Sequence, residues 1–221
     1  YANKYKTRKM IVAESCYWFV NTDYGGAQSG EYDFTEQWRS DETYNPRANS
    51  WRDVYKRTYS EALEARANML DMRERREAES WIRQAFDVVE DFINNGGYRL
   101  SPVAVSFPAI VKRGNVCKVG HSWQNSGYGV CPNFDKRWGS KYKVAVALLN
   151  AKGEVVQKVV DQTADPATWL RENDAAKYNL SFKIDCPTAG RYYWAVGIVD
   201  TSLEEVPVAL NLAVEDVDFE D

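Results

Sequence analysis

Two hydrophobic rhythms run along this chain, and they meet at Gly96-Gly97. Before that point apolar residues recur at helical spacing. After it they alternate with polar residues almost to the end. Glycine adopts the left-handed conformation that closes a helix C-terminus, so the pair predicts a helix end. The chain then enters its alternating half without a linker.

In the first half, Lys9 to Cys16 is short, apolar and β-branched, and reads as a buried strand. Tyr17 to Asn49 follows as a long segment rich in Gly, Asp and aromatics, with a short helix near Phe34 to Arg39. Loops of that length inside compact domains are commonly functional. Ser50 is a candidate N-cap, with Asp53 in the first turn of a helix over Trp51 to Arg66. Val54, Tyr55, Thr58, Ala62 and Ala65 form its apolar face. A short strand is predicted at Asn68 to Arg73. A second helix is predicted from Ala78 to Asn94, with Trp81, Ile82, Ala85, Phe86, Val89, Phe92 and Ile93 as its stripe.

In the second half, seven alternating stretches are spaced by turns: 103–107, 116–124, 141–149, 155–160, 179–184, 191–199 and 208–214. That spacing indicates a β-sandwich. Lys152-Gly153 marks a turn, as does Asp165-Pro166. Trp123 and Trp194 read as core rather than as ligand platforms.

Strand, long loop, helix, strand, helix is the order of an α/β architecture. In a (β/α)₈ barrel the long loops at the carboxyl ends of strands build the active site. Such a barrel takes about 250 residues, and only 97 precede Tyr98 here. The expected fold is therefore α+β and multidomain. Residues 1–97 are the last βα units of an incomplete barrel, and residues 98–221 an all-β immunoglobulin-like or jelly-roll sandwich. An incomplete barrel leaves apolar surface near Ile11, Val12 and Leu70, so the expected partner is a missing N-terminal barrel segment or a second copy.

Composition narrows the function classes. The chain has 221 residues, 44% hydrophobic and 27% charged, with a net charge of −4. No strongly basic stripe stands out in the linear sequence, which argues against nucleic acid as a partner. No apolar run is long enough to span a membrane as a helix. Eight Trp and fourteen Tyr supply core, interface or sugar-stacking surface. The chain begins at Tyr1 without an initiator Met, and reads as a mature or truncated product.

Four cysteines, Cys16, Cys117, Cys131 and Cys186, form no CxxC or Cys/His cluster, and His121 is the sole histidine. No metal site or cofactor is expected. A cation at the acidic tail Glu215 to Asp218 is weighed against a solvated terminus, which is the commoner outcome for such a run. His121 reads as structural. A Cys117–Cys131 disulfide and reduced buried thiols both remain open.

Several segments together resemble a known arrangement. These are Gly96 to Leu100, Trp123 to Gly127, Lys152-Gly153 and Asp165 to Leu170, with Ser50-Trp51, Ala67 to Arg73 and Ser80 to Ile82 before them. The first four resemble an uncharacterised bacterial C-terminal β-sandwich family that typically follows a glycoside-hydrolase-like (β/α)₈ barrel, and the last three look like the last quarter of that barrel. The resemblance implies a secreted, periplasmic or cell-surface setting and carbohydrate as the partner, without naming a sugar.

Glycoside hydrolysis requires two carboxyl groups flanking the bond. Glu14, at the polar end of its predicted strand, is the candidate nucleophile or base, and the resemblance would make that strand the seventh of the barrel. The competing reading is a structural carboxylate. Asp71 and Arg73 are candidates for sugar hydroxyls, and Trp18, Tyr24 and Trp38 for stacking on sugar rings, against simple loop packing. The acid partner of Glu14 is not visible, so the chain alone is expected to be inactive. Two functions compete: the C-terminal portion of a secreted carbohydrate-active protein, or a non-catalytic carbohydrate-binding or structural interaction module; a purely structural accessory domain is the third reading.

Overall fold

The computed structural model describes residues 12–13, 51–72 and 75–214. The chain divides into two compact units, Tyr1–Tyr98 and Arg99–Asp221.

In the first unit, β1 (Val12–Ala13) pairs in parallel with β2 (Met69–Leu70). Helix α1 spans Trp51–Glu64, with Asp53 in its first turn, where a carboxylate complements the helix dipole. Helix α2 spans Arg75–Asn95, and Ala85 leaves helical geometry within it (φ −153°, ψ 51°). Tyr55 and Tyr59 of α1 pack with Trp81, Ala85, Val88 and Val89 of α2. The Tyr55 and Trp81 rings stack at 4.5 Å, and the Tyr55 and Ser80 hydroxyls share a hydrogen bond of 2.5 Å. Tyr59 donates its hydroxyl proton to Asp91.

Part of the expected stripe on α2 is not buried. Ile82, Phe86 and Ile93 are 49%, 53% and 63% exposed. The buried row is Trp81, Ala85, Val88 and Val89. Ile82 and Phe86 stand one residue, about 100°, further around the helix than Trp81 and Ala85, beyond the arc that α1 covers.

The expected barrel fragment is corrected by these features. Among the described residues the parallel pairing amounts to two rungs, Val12 with Met69 and Ala13 with Leu70. Parallel sheets are ordinarily covered on both faces, yet Val12 and Met69 are 42% and 52% exposed. All other strand pairing among the described residues is antiparallel and lies in the second unit. Two helices packed on each other bury their facing sides without any barrel wall, and helical periodicity alone does not distinguish the two arrangements.

The second unit is a sandwich of a three-stranded and a four-stranded antiparallel sheet. The first sheet is ordered β3-β4-β7: Leu100–Ser106, Val116–Asn125 and Ala176–Lys183. The second is ordered β6-β5-β8-β9: Val155–Asp161, Tyr142–Leu149, Tyr193–Asp200 and Val208–Leu210. Seven strands split three and four, with crossovers between sheets, fit the immunoglobulin-like plan better than the eight-stranded jelly roll. Alternation decides which residues face inward. On β4, Cys117, Val119, His121, Trp123 and Asn125 are buried. Cys117 and Val119 pack with Val146 and Leu148 of the opposite sheet.

The two sheets are also joined at one margin by a side chain. The Gln157 amide on β6 donates to the Lys183 carbonyl at 2.7 Å and accepts from the Asp185 N–H at 2.9 Å.

Candidate binding site

The two ends of the sandwich differ in chemistry. At one end β4, β6 and β7 carry a closed aromatic and polar cluster. The Trp123 indole N–H donates to His121 Nδ1 at 2.9 Å. His121 Nε2 lies 3.1 Å from Asp161 Oδ2. Asp161 Oδ1 accepts from the backbone N–H and hydroxyl of Thr163. Tyr178 stacks on His121, Trp169 stacks on Trp123, and the Trp169 N–H donates to the Tyr178 hydroxyl at 2.8 Å. Burial holds the His121 imidazole below its ordinary pKa, with Asp161 pulling the other way. A histidine–carboxylate pair suggests acid–base chemistry, but the His121 and Asp161 side chains are 0% and 4% exposed. Substrate has no access to them, so the pair is structural.

Asn125 secures the loops at the same end. Its amide donates to the carbonyls of Gly129 and Trp169, and its oxygen accepts from the N–H groups of Gly127 and Arg99. The Asp165 carboxylate caps the 3₁₀ turn Pro166–Thr168 by accepting from the Ala167 N–H.

The opposite end is open. The segment after β3 and the segment between β7 and β8 border two adjoining hollows of about 700 and 690 Å³. The loop after β3 is pinned, because the Gly114 N–H donates to the Ile184 carbonyl and the Ile184 N–H to the Asn115 carbonyl. Gly114 sits at φ +80°, a conformation that suits glycine. Phe107 is 47% exposed, and its ring centre lies 5.4 Å from that of Trp194 at a 32° tilt. Phe182 braces Trp194 edge-on from the core. The Tyr192 hydroxyl donates to the Thr188 carbonyl, fixing the far wall.

The walls of both hollows carry lysine, arginine, hydroxyl and amide groups, and no carboxylate or imidazole among the described residues. Cys117 and Cys186 lie in their floors. Burial raises both thiols above the ordinary range, so neither is an activated nucleophile. These walls offer cations, hydroxyls and amides to whatever enters the hollows.

Of the residues singled out from sequence, Glu14, Trp18, Tyr24, Trp38 and Arg73 lie outside the described residues. Asp71 follows β2 directly and is half-buried. It belongs to the first unit, so the open end is built entirely from residues that the sequence did not nominate as a site. Trp123 is buried as expected, whereas Trp194 is only partly buried and lines a hollow. The disulfide alternative is settled as well. Cys117 and Cys131 are free, and the first lies near the start of β4 while the second lies beyond its far end.

No helix among the described residues is long and apolar enough to cross a membrane. No known family model matches this chain, and no curated protein is significantly similar to it.

Proposed function

We propose that this chain is a non-catalytic carbohydrate-binding module of a larger, extracytoplasmic carbohydrate-active protein, with the open end of its sandwich as the binding site. The observation that carries this reading is the pairing of a half-exposed aromatic wall, Phe107 against Trp194, with a lining free of carboxylate and imidazole groups. Aromatic faces backed by hydroxyls and amides suit the alternating apolar and polar surface of a sugar ring. Hydrolysis needs paired carboxyl groups, which these walls do not offer. The setting outside the cytoplasm and the larger parent rest on the sequence resemblance.

The test is affinity electrophoresis of the whole chain through gels containing soluble polysaccharides. Retention is expected in at least one gel, and Phe107→Ala is expected to weaken it about tenfold, the effect of losing roughly 1.4 kcal/mol of ring contact. Absence of retention in every polysaccharide refutes the reading.

A further inference from the structure

Strand register sets the composition of the outer face of the β3-β4-β7 sheet. On β4 the outward positions are Val116, Lys118, Gly120, Ser122 and Gln124, because the intervening residues face the core. Their partners on β7 are Lys183, Ser181, Asn179 and Lys177, paired with Val116, Lys118, Gly120 and Ser122 in turn. On β3, Ala104 and Ser106 lie opposite Ser122 and Gly120. The face therefore presents three lysines among hydroxyls, amides and small residues, and none of these outward positions is an aspartate or glutamate. This occurs in a chain whose net charge is −4.

Lys118, Lys177 and Lys183 are all exposed, and none takes part in an ion pair among the described residues. Along the strands Lys118 stands two register positions from Lys183 and four from Lys177, about 7 and 13 Å. The ammonium groups thus follow a line about 20 Å long. That line joins the open end, because Lys118 and Ser106 also border the first hollow, together with Lys112.

We infer that this face and the adjoining hollow bind an acidic polysaccharide, a chain of carboxylate-bearing sugars laid along β4 and β7. The inference rests on the carbohydrate-binding reading above and names its substrate class. Charge complementarity supplies the argument: a row of lysines, with no carboxylate at the outward strand positions between them, attracts a polymer with regularly spaced negative charges. Ser106, Ser181, Asn179 and Gln124 add donors and acceptors for hydroxyls. The face carries no aromatic side chain and no arginine at these positions. It therefore lacks the stacking platforms that hold single-stranded nucleic acid and the guanidinium forks that read bases. Lysine as a point charge suits carboxylates distributed along a flexible chain.

The experiment uses the whole 221-residue chain in gels containing polygalacturonate, a neutral galactan or no polymer, across a salt series. The variants are Lys118→Gln/Lys177→Gln/Lys183→Gln and the matching triple Arg substitution. Near-ultraviolet circular dichroism from the buried tryptophans checks that each variant is folded. The expected result is retention by polygalacturonate that falls with salt, weakens about tenfold in the Gln variant and persists in the Arg variant. If the Gln variant fails to fold, the salt series and the Arg variant still decide: retention that ignores salt overturns the inference. Retention by galactan alone, unchanged by the Gln substitutions, overturns the inference and leaves the carbohydrate-binding reading standing. No retention by either polymer, nor by any other polysaccharide, refutes both. Equal binding to duplex DNA or to phosphatidylserine vesicles overturns the inference, since the face would then respond to charge alone.

Discussion

Trp123 donates its indole proton to His121 Nδ1 at 2.9 Å, and this single bond fixes the protonation state of the only histidine in the chain. Nδ1 must be an acceptor, so the proton of the neutral ring resides on Nε2 and points to Asp161. Protonating the imidazole would set two N–H groups against each other in a buried site. Burial and the indole donor thus outweigh the attraction of Asp161, and the folded ring keeps a pKa below the unfolded value near 6.5.

That relationship has a pH signature. Where the folded pKa is depressed, the unfolded chain binds more protons, and stability rises with pH. The contribution of His121 is fully present above the unfolded value near 6.5 and is lost as pH falls toward the folded one. Urea midpoints of the sandwich are expected to be level above pH 7 and to decline below about 6.5, before carboxylates begin to titrate. A midpoint that is flat from pH 7.5 to 5 contradicts this.

Trp123→Phe keeps an aromatic ring but removes the donor. It is expected to destabilise by about 2 kcal/mol, combining a lost buried hydrogen bond with unfilled volume. The histidine pKa should rise toward its ordinary value. Chemical denaturation measures the first change and imidazole ¹⁵N shifts the second, with the wild-type ring expected as the Nε2–H tautomer.

Asn125→Ala strips four hydrogen bonds from a side chain whose residue is 3% exposed. Orphaned carbonyl and amide groups in such a place cost about 3 kcal/mol together. Chemical denaturation should show it. A loss below about 0.5 kcal/mol, the ordinary surface value, would mean that water replaces the side chain without penalty.

The three described thiols should resist alkylation at pH 8 in the native chain and react on unfolding. Burial pushes the Cys131 thiol up to about 12 and raises Cys117 and Cys186 as well. Mass mapping of iodoacetamide adducts reads each cysteine separately. Rapid native labelling of Cys131 would show that its loop opens readily.

Gly96→Ala tests the end of α2. An added Cβ would sit 2.5 Å from the Phe92 carbonyl oxygen and 2.7 Å from the Phe92 ring. The last turn must then unwind, at an expected cost of about 2 kcal/mol to the first unit. Differential scanning calorimetry that leaves this transition unmoved would refute the close approach.

The legible parts of the fold were those governed by local rules. Alternation located all seven sandwich strands, though β7 starts at Ala176 rather than 179 because Lys177 and Tyr178 continue the same in-and-out pattern. Gly153, at φ +81°, makes the predicted turn, and Gly97, at φ +63°, ends the helical half. The barrel reading failed because a short apolar run and two amphipathic helices are compatible with several tertiary arrangements. Within the closed cluster, His121 and Trp123 at positions i and i+2 of a strand share one face, a signal present in the sequence. Asp161 carried no such signal, since its meeting with His121 depends on how two sheets are superposed. The cationic face was hidden for a related reason. Lys118 is distant in sequence from Lys177 and Lys183, and only the β4–β7 register makes them neighbours.

Gln157 bears on how this chain meets other chains. Its side-chain amide takes one donor and one acceptor role that a peptide group of a neighbouring strand would otherwise fill. At that margin the exposed ladder groups of Lys183 and Asp185 are already spoken for. The two sheets are thus stitched together at that point, and an incoming strand finds those two groups already occupied. On the other side of the first sheet, β3 carries Pro102 and a register shift between Pro102 and Ala104, which interrupts continuous pairing in another way. A protein that presents a flat sheet face to a polymer needs such guarded margins, because they leave the face open to its ligand while discouraging growth into fibrils.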